Sequence, residues 1–232
     1  MAKIIVLAGD KGGSGKTTSS HAIAHGLAMY GIHAFHISTD PRREVLPPEA
    51  RRYATLDGRD PNKLGSIVDR LQGMERAIVL IDGGGGRPDI DRVLAKVADL
   101  TILPFMQSQT DLRVVRADLD RLPEAVGLPN RWPTQKWARD VADRELAEEL
   151  HGYVNRLMSP VPEINGYVSL LRDTGAVPKI SPSCKQLALR VLERMGLNLF
   201  GFDTQATENA VARKGATQSR VNAMRLRRQN TE

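Results

Sequence analysis

The chain has 232 residues, of which 41% are hydrophobic, 26% are charged and 4% are aromatic, with a single cysteine, Cys184. A chain of this length can bury about 70 to 75% of its unfolded surface, so it needs no disulfide or structural metal to fold. One cysteine excludes a disulfide framework and a zinc ribbon, and no apolar run approaches the roughly 18 residues of a membrane span. The composition therefore predicts a cytoplasmic protein without stable membrane insertion.

Short apolar runs alternate along the chain with segments of helical period. This alternation predicts an α/β fold, in which a mostly parallel twisted sheet carries helices on both faces. The strand candidates are residues 3–8, 32–38, 77–82, 100–105, 125–129 and 176–180. The helix candidates are residues 16–30, 62–72, 89–97, 111–122, 134–157 and 184–195, the first with a buried stripe of Ile23, Leu27 and Tyr30. Residues 41–61 have no clean period and predict a long loop with room for a short helix.

Positive charge is concentrated at the carboxyl end of the chain. Residues 209–232 hold six basic residues against one acid, whereas the other 208 residues hold 27 basic and 26 acidic ones. We expect residues 1–208 to form one domain and residues 209–232 a basic tail or helix. Such a segment predicts a polyanionic partner, either nucleic acid or an anionic membrane surface, and a solvated terminus is the alternative. Its basic residues are Arg213, Lys214, Arg220, Arg225, Arg227 and Arg228.

A glycine-rich segment, GDKGGSGKTT, follows the first predicted strand at residues 9–18 and precedes the first predicted helix. Glycines allow backbone amides to turn inward around phosphate oxygens, and the amino terminus of the following helix adds its dipole. Lys16 has the position from which a lysine reaches terminal phosphates, and Thr17 the position that ligates magnesium. The segment predicts a nucleoside triphosphate site.

The motif KGGSGKTT, from Lys11 to Thr18, resembles the deviant Walker A loop of the ParA/MinD ATPases. Four further segments match that family in order. Residues 38–42 resemble its DxDPQ motif with Ser38 in place of the first aspartate, and residues 78–82 resemble its Walker B strand. Residues 98–104 are similar to its AADxVLIP strand, and residues 129–131 resemble the strand end whose asparagine contacts adenine. These segments all lie within the first 131 residues.

The resemblance implies roles for individual residues. Lys11 would be the signature lysine that crosses a dimer interface to the partner's nucleotide. Asp40 would orient the attacking water, and Asp82 would anchor magnesium through water. The implied nucleotide-binding residues are Lys11, Gly12, Gly13, Ser14, Gly15, Lys16, Thr17, Thr18, Asn130 and Arg131. The implied catalytic residues are Lys11, Lys16 and Asp40, and the implied metal residues are Thr17, Asp40 and Asp82.

The function that follows from the resemblance is that of a ParA-like ATPase using ATP and Mg²⁺. Such a protein forms an ATP-dependent homodimer, binds DNA without sequence preference and positions or segregates DNA or another cargo at the nucleoid. Because the first strand starts at residue 3, we expect no amino-terminal operator-binding domain, as in the short partition ATPases. A ParB-like or adaptor protein would stimulate hydrolysis. A MinD-like membrane-cycling regulator and a small-molecule P-loop enzyme remain as alternatives.

One departure from the family affects the expected rate. Four glycines, residues 83–86, follow the Walker B strand where the family has DxPP or DTPG. Glycines offer free amides to a phosphate but lose more conformational entropy on ordering. We therefore expect hydrolysis to be slow and stimulated by a partner.

Several other residues are predicted to have structural rather than chemical roles. His21 and His25 are expected to be surface or packing residues of the first helix, Trp132 and Trp137 to be core anchors, and Asp111 to be a helix N-cap. The loop arginines Arg42, Arg43, Arg51, Arg52 and Arg59 are nearly cancelled by neighbouring acids, so we expect a solvated loop.

Overall fold

A six-stranded sheet forms the centre of the computed structural model, which describes residues 1–48, 51–172 and 180–199. The strands are β1 (Lys3–Leu7), β2 (His33–Ser38), β3 (Ala54–Asp57), β4 (Ala77–Asp82), β5 (Leu100–Phe105) and β6 (Val126–Pro129). Their order is β3-β2-β4-β1-β5-β6, and every neighbouring pair is parallel. Leu7 and Ser38 both pair with Asp82, so the carboxyl ends of β1, β2 and β4 meet at one edge.

Helices cover both faces of this sheet. They are α1 (Lys16–Ala28), α2 (Pro61–Gln72), α3 (Pro88–Val97), α4 (Gln109–Arg121), α5 (Lys136–Leu150) and α6 (Ser181–Arg194), with 3₁₀ helices at His151–Arg156 and Asn165–Leu171. Ile4 and Val6 belong to one buried cluster with side chains of α2 to α5. Ile5 and Leu7 alternate to the opposite face, where α1 packs against the sheet. This architecture confirms the predicted parallel α/β fold.

Helix α1 is buried on all sides, not along a single stripe. Residues 19–27 are all buried, and Tyr30, expected in the stripe, lies beyond the end of the helix and is half-buried. The outer side of α1 contacts the 3₁₀ helix Asn165–Leu171 and, at Gly26, the backbone of Cys184 in α6. A Cβ atom at Gly26 would overlap the Cys184 carbonyl oxygen. Ile23 and Leu27 are buried as predicted, whereas Tyr30 is not, and the burial extends beyond one stripe because later elements cover the helix.

The predicted elements differ from the observed ones mainly between residues 41 and 61 and after residue 150. The stretch from residue 41 to 61 contains the edge strand β3, which pairs with β2 from Phe35 to Ser38, where a loop was expected. The long helix predicted over 134–157 ends at Leu150 and continues as a 3₁₀ turn. Residues 176–179 of the last strand candidate lie outside the described residues.

The chain divides into two compact units, residues 1–191 and residues 192–232. The second unit is described over residues 192–199, where α6 ends at Arg194 and Gly196 adopts a positive φ of 68°. The predicted boundary between residues 208 and 209 lies outside the described residues and stays a prediction. Within the described ranges, no helix combines the length and the apolar character that crossing a membrane requires.

The two tryptophans have different environments. Trp132 is 2% exposed, packs edge-on against Phe105 and donates a 2.8 Å hydrogen bond to Asp143 Oδ1, as expected for a core anchor. Trp137 is 71% exposed, so the prediction that it anchors the core was wrong. It lies in the first turn of α5, where its indole nitrogen donates to Gln135 Oε1 outside the core.

Both histidines of α1 are buried, in agreement with a packing role. His21 stacks on His36 with 3.8 Å between ring centroids, and its Nδ1 lies 2.8 Å from the Tyr53 hydroxyl. His25 Nε2 lies 3.1 Å from Ser181 Oγ. Burial lowers the pKa of His36 to about 3 and that of His21 well below its usual value, so both rings are neutral at physiological pH.

Candidate functional site: a preformed phosphate loop

The glycine-rich segment forms a closed loop between β1 and α1. Gly15, the N-cap of α1, has a φ of 97°, and a Cβ atom there would overlap the Asn130 amide. Only glycine fits both the left-handed backbone and the close approach. Lys16 is 6% exposed, and its Nζ donates a 2.7 Å hydrogen bond to the Lys11 carbonyl oxygen. The loop thus curls around its lysine in the geometry that cradles phosphate.

A cavity of about 420 Å³ opens in front of this loop. This volume is in the range of small-molecule sites. Desolvation lowers the pKa of Lys16, while the charges of Asp91 and Asp82, with smaller contributions from Asp118 and Asp10, oppose that shift. The lining of the cavity includes six predicted nucleotide-binding residues and one predicted catalytic carboxylate, namely Gly12, Gly13, Gly15, Lys16, Thr17, Thr18 and Asp40.

Asp40 and Asp82 reach the site from two neighbouring strands. Asp82 ends β4, and neither of its buried carboxylate oxygens has a hydrogen-bond partner among the described residues. Burial raises the pKa of Asp82 to about 6. Partial burial acts to raise the pKa of Asp40, but hydrogen bonds and charges from Arg42, with the charge of Arg43, hold it below its usual value. Asp40 is therefore a carboxylate at neutral pH.

The residues present fit a magnesium ion. Mg²⁺ prefers oxygen ligands in octahedral geometry, keeps several waters, and in nucleotide sites is held by one or two carboxylates together with phosphates. The unpartnered oxygens of Asp82 are the polar atoms that a bound cation or its waters would satisfy. Thr17 and Asp40 line the adjoining cavity, so all three predicted metal residues lie at one edge of the sheet.

Lys11 is turned away from this cavity. Its Nζ forms a 2.7 Å ion pair with Asp111 Oδ1, and the two side chains are 30% and 2% exposed. Asp111 is the third residue of α4, whose N-cap is Ser108, so the prediction that Asp111 caps this helix was wrong. Ser108 Oγ accepts a 3.1 Å hydrogen bond from the Asp111 amide, as in a capping box.

Asn130 and Arg131 follow β6 on the other side of the loop. Asn130 is buried, and its Nδ2 donates a 3.1 Å hydrogen bond to the Ser14 carbonyl oxygen. Arg131 has a positive φ of 51° and an ion pair of 2.6 Å with Glu163. Asn130 thus contacts the phosphate loop directly, whereas the side chain of Arg131 is engaged with Glu163.

The glycine segment after β4 packs against the phosphate loop. The Gly83 amide donates to the Leu7 carbonyl, and the Gly86 amide donates to the Asp10 carbonyl, both at 2.9 Å. A Cβ atom on Gly85 would come within 3.3 Å of the Gly12 amide nitrogen. The glycines therefore permit a close contact between these two segments.

The predicted DNA-binding residues Arg213, Lys214, Arg220, Arg225, Arg227 and Arg228 lie outside the described residues.

Comparisons with known proteins agree with this geometry. The sequence model of the ArsA_ATPase family, the anion-transporting ATPases, matches residues 2–46. A search of curated protein sequences found no significant match. McdA from Cyanothece, solved as an ATP complex, is 17% identical over 85% of this chain and 97% of its own, with a TM-score of 0.62. MinD from Aquifex aeolicus is 17% identical over 83% of this chain and 98% of its own, with a TM-score of 0.61.

A third solved structure is a protein of Borrelia burgdorferi B31 ascribed to plasmid partition and bound to AMPPNP. It is 14% identical over 83% of this chain and 99% of its own, with a TM-score of 0.59. The chain has the fold of the ParA/MinD-type P-loop ATPases. The resemblance first drawn from the motif at Lys11 to Thr18 is thereby confirmed.

Three buried carboxylates behind the phosphate loop of this ParA/MinD-type fold escaped the sequence analysis as functional residues. Asp91 Oδ2 accepts a 3.1 Å hydrogen bond from the Gly9 amide, and Asp118 Oδ2 accepts one of 3.0 Å from the Asp10 amide. Asp111 holds Lys11. We call these residues the buried carboxylates. Burial raises the pKa of both Asp91 and Asp118.

A sequence signal for two of these residues does exist. Asp118 lies on α4 between Val115 and Leu119, and Asp91 lies three residues before Leu94 on α3, so each acid interrupts the apolar face of its helix. An acid in such a position is rarely buried unless it is paired or hydrogen-bonded. The pattern predicts a buried partner, although it does not say which one.

Proposed function

We propose that the chain is a ParA-like ATPase that binds Mg-ATP, dimerises when ATP is bound and uses this cycle to position or segregate a cargo. The observation that supports it most strongly is the grouping of Lys16, Thr17 and Asp40 around one cavity beside the unpartnered carboxylate of Asp82. A glycine turn that binds nothing would not require this set.

In the proposed reaction the loop amides and Lys16 hold the phosphates. Bound magnesium would neutralise charge on the phosphate oxygens, and Thr17, Asp40 and Asp82 would hold it. Asp40, a carboxylate at neutral pH, orients a water toward the terminal phosphorus. The water oxygen forms the new bond to phosphorus while the bond to the bridging β-phosphate oxygen breaks and leaves its electron pair on ADP. One proton of the water stays on the released hydrogen phosphate and the other passes to solvent.

Dimerisation is the step that distinguishes this proposal from a small-molecule P-loop enzyme. In the proposed dimer Lys11 leaves Asp111 and contacts the nucleotide of the partner. Light scattering with ATP and magnesium tests this step. Lys11→Ala is expected to bind ATP and stay monomeric, whereas Asp40→Ala is expected to dimerise and hydrolyse poorly. A wild type that stays monomeric with bound ATP would favour the small-molecule enzyme.

DNA binding is proposed for the basic residues 209–232. If Arg225, Arg227 and Arg228 contact phosphates, affinity for unrelated duplexes falls steeply with salt, with a log-log slope of about 0.9 per phosphate. Changing all three to alanine is expected to reduce that slope by up to about three per chain and to leave ATP affinity unchanged. Fluorescence anisotropy of labelled duplexes across a salt series measures the DNA affinity and its slope. DNA binding is expected to be tighter with ATP because a dimer joins two weak DNA sites.

A MinD-like membrane-cycling regulator is the second candidate, because MinD from Aquifex aeolicus shares the fold with a TM-score of 0.61. A basic tail can bind anionic lipid as well as DNA. Sedimentation with anionic vesicles separates the two proposals. Tight lipid binding with negligible DNA binding would favour the membrane regulator. In either case a ParB-like or adaptor protein is expected to stimulate a slow basal hydrolysis.

A further inference from the structure

Two consecutive arginines follow Asp40 and line the same cavity as the phosphate loop. Arg42 and Arg43, which we call the arginine pair, line this cavity together with Lys16 and Thr17. Both side chains are directed to Asp40. Arg42 Nε lies 3.4 Å from Asp40 Oδ1, and Arg43 Nε lies 3.6 Å from Asp40 Oδ2. One carboxylate at the cavity therefore holds two guanidinium groups.

The backbone that carries the arginine pair is fixed by hydrogen bonds. The Arg42 amide donates to Asp40 Oδ1 at 3.0 Å, and the Arg43 amide donates to the Asp40 carbonyl at 3.2 Å. Arg59 Nη1 donates to the Arg43 carbonyl oxygen at 3.3 Å, and Arg59 Nη2 pairs with Asp57 Oδ2 at 2.6 Å. The loop thus holds the two side chains at the cavity without requiring a ligand.

The side chains themselves are free to change partner. The Arg42 side chain is 74% exposed and the Arg43 side chain 49%, and their ion pairs with Asp40 are long and not bidentate. Arg42 Nη2 also donates a long hydrogen bond of 3.4 Å to the carbonyl oxygen of Gly85, another lining residue. The Asp40 side chain is only 11% exposed, but ion pairs this long, formed by guanidinium groups that are half exposed or more, contribute little free energy, so a better acceptor can displace Asp40.

The charges around the cavity favour such an acceptor. Three cationic side chains, Lys16 and the arginine pair, line the cavity, whereas Asp40 is the one acidic side chain among the described residues that line it. Lys11 is neutralised by Asp111 and directed elsewhere. A planar guanidinium binds two phosphate oxygens at once, and charge-assisted bonds of this type are about twice as strong as neutral ones.

We propose that the arginine pair binds the terminal phosphate of a nucleoside triphosphate, which makes Arg42 and Arg43 catalytic residues that distinguish a triphosphate from a diphosphate. The inference rests on the proposed ATPase function. When the triphosphate binds, the guanidinium groups move from Asp40 to the phosphate oxygens. This exchange frees the Asp40 carboxylate to orient water and places positive charge where the phosphoryl group transfers.

The test compares two fluorescent nucleotides with the full-length chain in magnesium buffer, one an ADP and the other a non-hydrolysable ATP analogue. Arg42→Ala combined with Arg43→Ala is expected to weaken binding of the triphosphate at least tenfold and binding of ADP less than threefold. At saturating ATP its kcat is expected to fall at least tenfold. Replacing both arginines by lysine is expected to give intermediate affinities and rates, because lysine keeps the charge but cannot donate two parallel hydrogen bonds to a phosphate.

Arg52→Ala is the matched control, because Arg52 is exposed on the same segment and does not line the cavity. It is expected to match the wild type with both nucleotides. Equal losses for ADP and the triphosphate, or no loss for either, would overturn the role of the arginine pair while leaving the ATPase proposal intact. A wild type that binds neither nucleotide would overturn both.

Discussion

The two sides of the phosphate loop differ in charge and in burial. Behind it, two of the buried carboxylates, Asp91 and Asp118, accept hydrogen bonds from the Gly9 and Asp10 amides. In front of it, the arginine pair is largely solvated and held by one carboxylate. A buried polar contact is costly to remove, whereas an exposed guanidinium group in a long ion pair exchanges partners at little cost. The rear side therefore fixes the loop, and the front side is the one able to respond to a ligand.

The largest expected effect comes from Lys16, which lies between these two sides. Lys16→Ala removes the cation that the loop encloses and is expected to weaken ATP binding at least a hundredfold, because charge-assisted bonds to phosphate are lost. Equilibrium binding of a fluorescent ATP analogue measures it. Lys96→Ala, an exposed lysine on α3, serves as the control and is expected to bind normally. Unchanged affinity in Lys16→Ala would refute the phosphate-loop assignment.

Asp82 gives the next largest effect, on stability rather than on binding. Its pKa is about 6 in the folded chain and near 3.8 when unfolded, so the folded state binds this proton more tightly. Its contribution to the free energy of unfolding is present below about pH 4 and is lost as the pH rises through about 6, by up to about 3 kcal/mol. Asp82→Asn is expected to lack this dependence.

Denaturant unfolding of both proteins at pH 4.5 and 7.5, without magnesium or nucleotide, measures the difference between their pH profiles. Parallel profiles for wild type and Asp82→Asn would contradict the assignment of a buried carboxyl group with a raised pKa at the end of β4. A profile that becomes parallel only after Mg-ATP is added would instead support the magnesium role of Asp82.

Asp91 tests the rear side of the loop. Asp91→Ala leaves the buried Gly9 amide without an acceptor and is expected to lower the free energy of unfolding by about 1 to 3 kcal/mol. Asp89 is a matched control on the first turn of the same helix, because its side chain is 91% exposed. Thermal unfolding of both variants measures the contrast. Equal stabilities would mean that Asp91 does not support the loop.

The smallest expected stability effect belongs to the front side. Changing both members of the arginine pair to alanine is expected to alter the free energy of unfolding by less than about 0.5 kcal/mol each, because exposed side chains contribute little. Thermal unfolding of the same protein used for nucleotide binding checks this expectation. A large destabilisation would show that the arginine pair stabilises the loop after β2 and is not available to bind a phosphate.

The sequence predicted β4 and β5 to the residue, because both are runs of buried apolar side chains with clear ends. It missed β3 for a physical reason. Ala54–Asp57 is a four-residue edge strand whose pairing with β2 depends on tertiary packing, and its own pattern is too short to show a period. The exposure of Trp137 was missed because a bulky apolar residue is more often inside than outside.

The candidate site likewise contains residues that the sequence predicted and residues that it did not. The phosphate-loop residues from Gly12 to Thr18 form a continuous motif, so their grouping was predictable from spacing alone. Asp40 and Asp82 followed from the resemblance of residues 38–42 and 78–82 to family motifs, and the pairing of Ser38 with Asp82 places the two strand ends at one edge of the sheet. The buried carboxylates and the arginine pair were not predictable as site residues, because their distance from the loop is decided by how α3, α4 and the segment after β2 pack.

The contrast between Trp132 and Trp137 provides an optical probe of the site. These are the two tryptophans of the sequence, and one is 2% and the other 71% exposed. A solvated indole emits at longer wavelength than a buried one, so Trp137→Phe leaves an emission spectrum that comes from Trp132 alone. Trp132 lies two residues after Asn130, whose amide contacts the phosphate loop. A movement of the loop that displaces Asn130 can then be followed in solution without any attached dye.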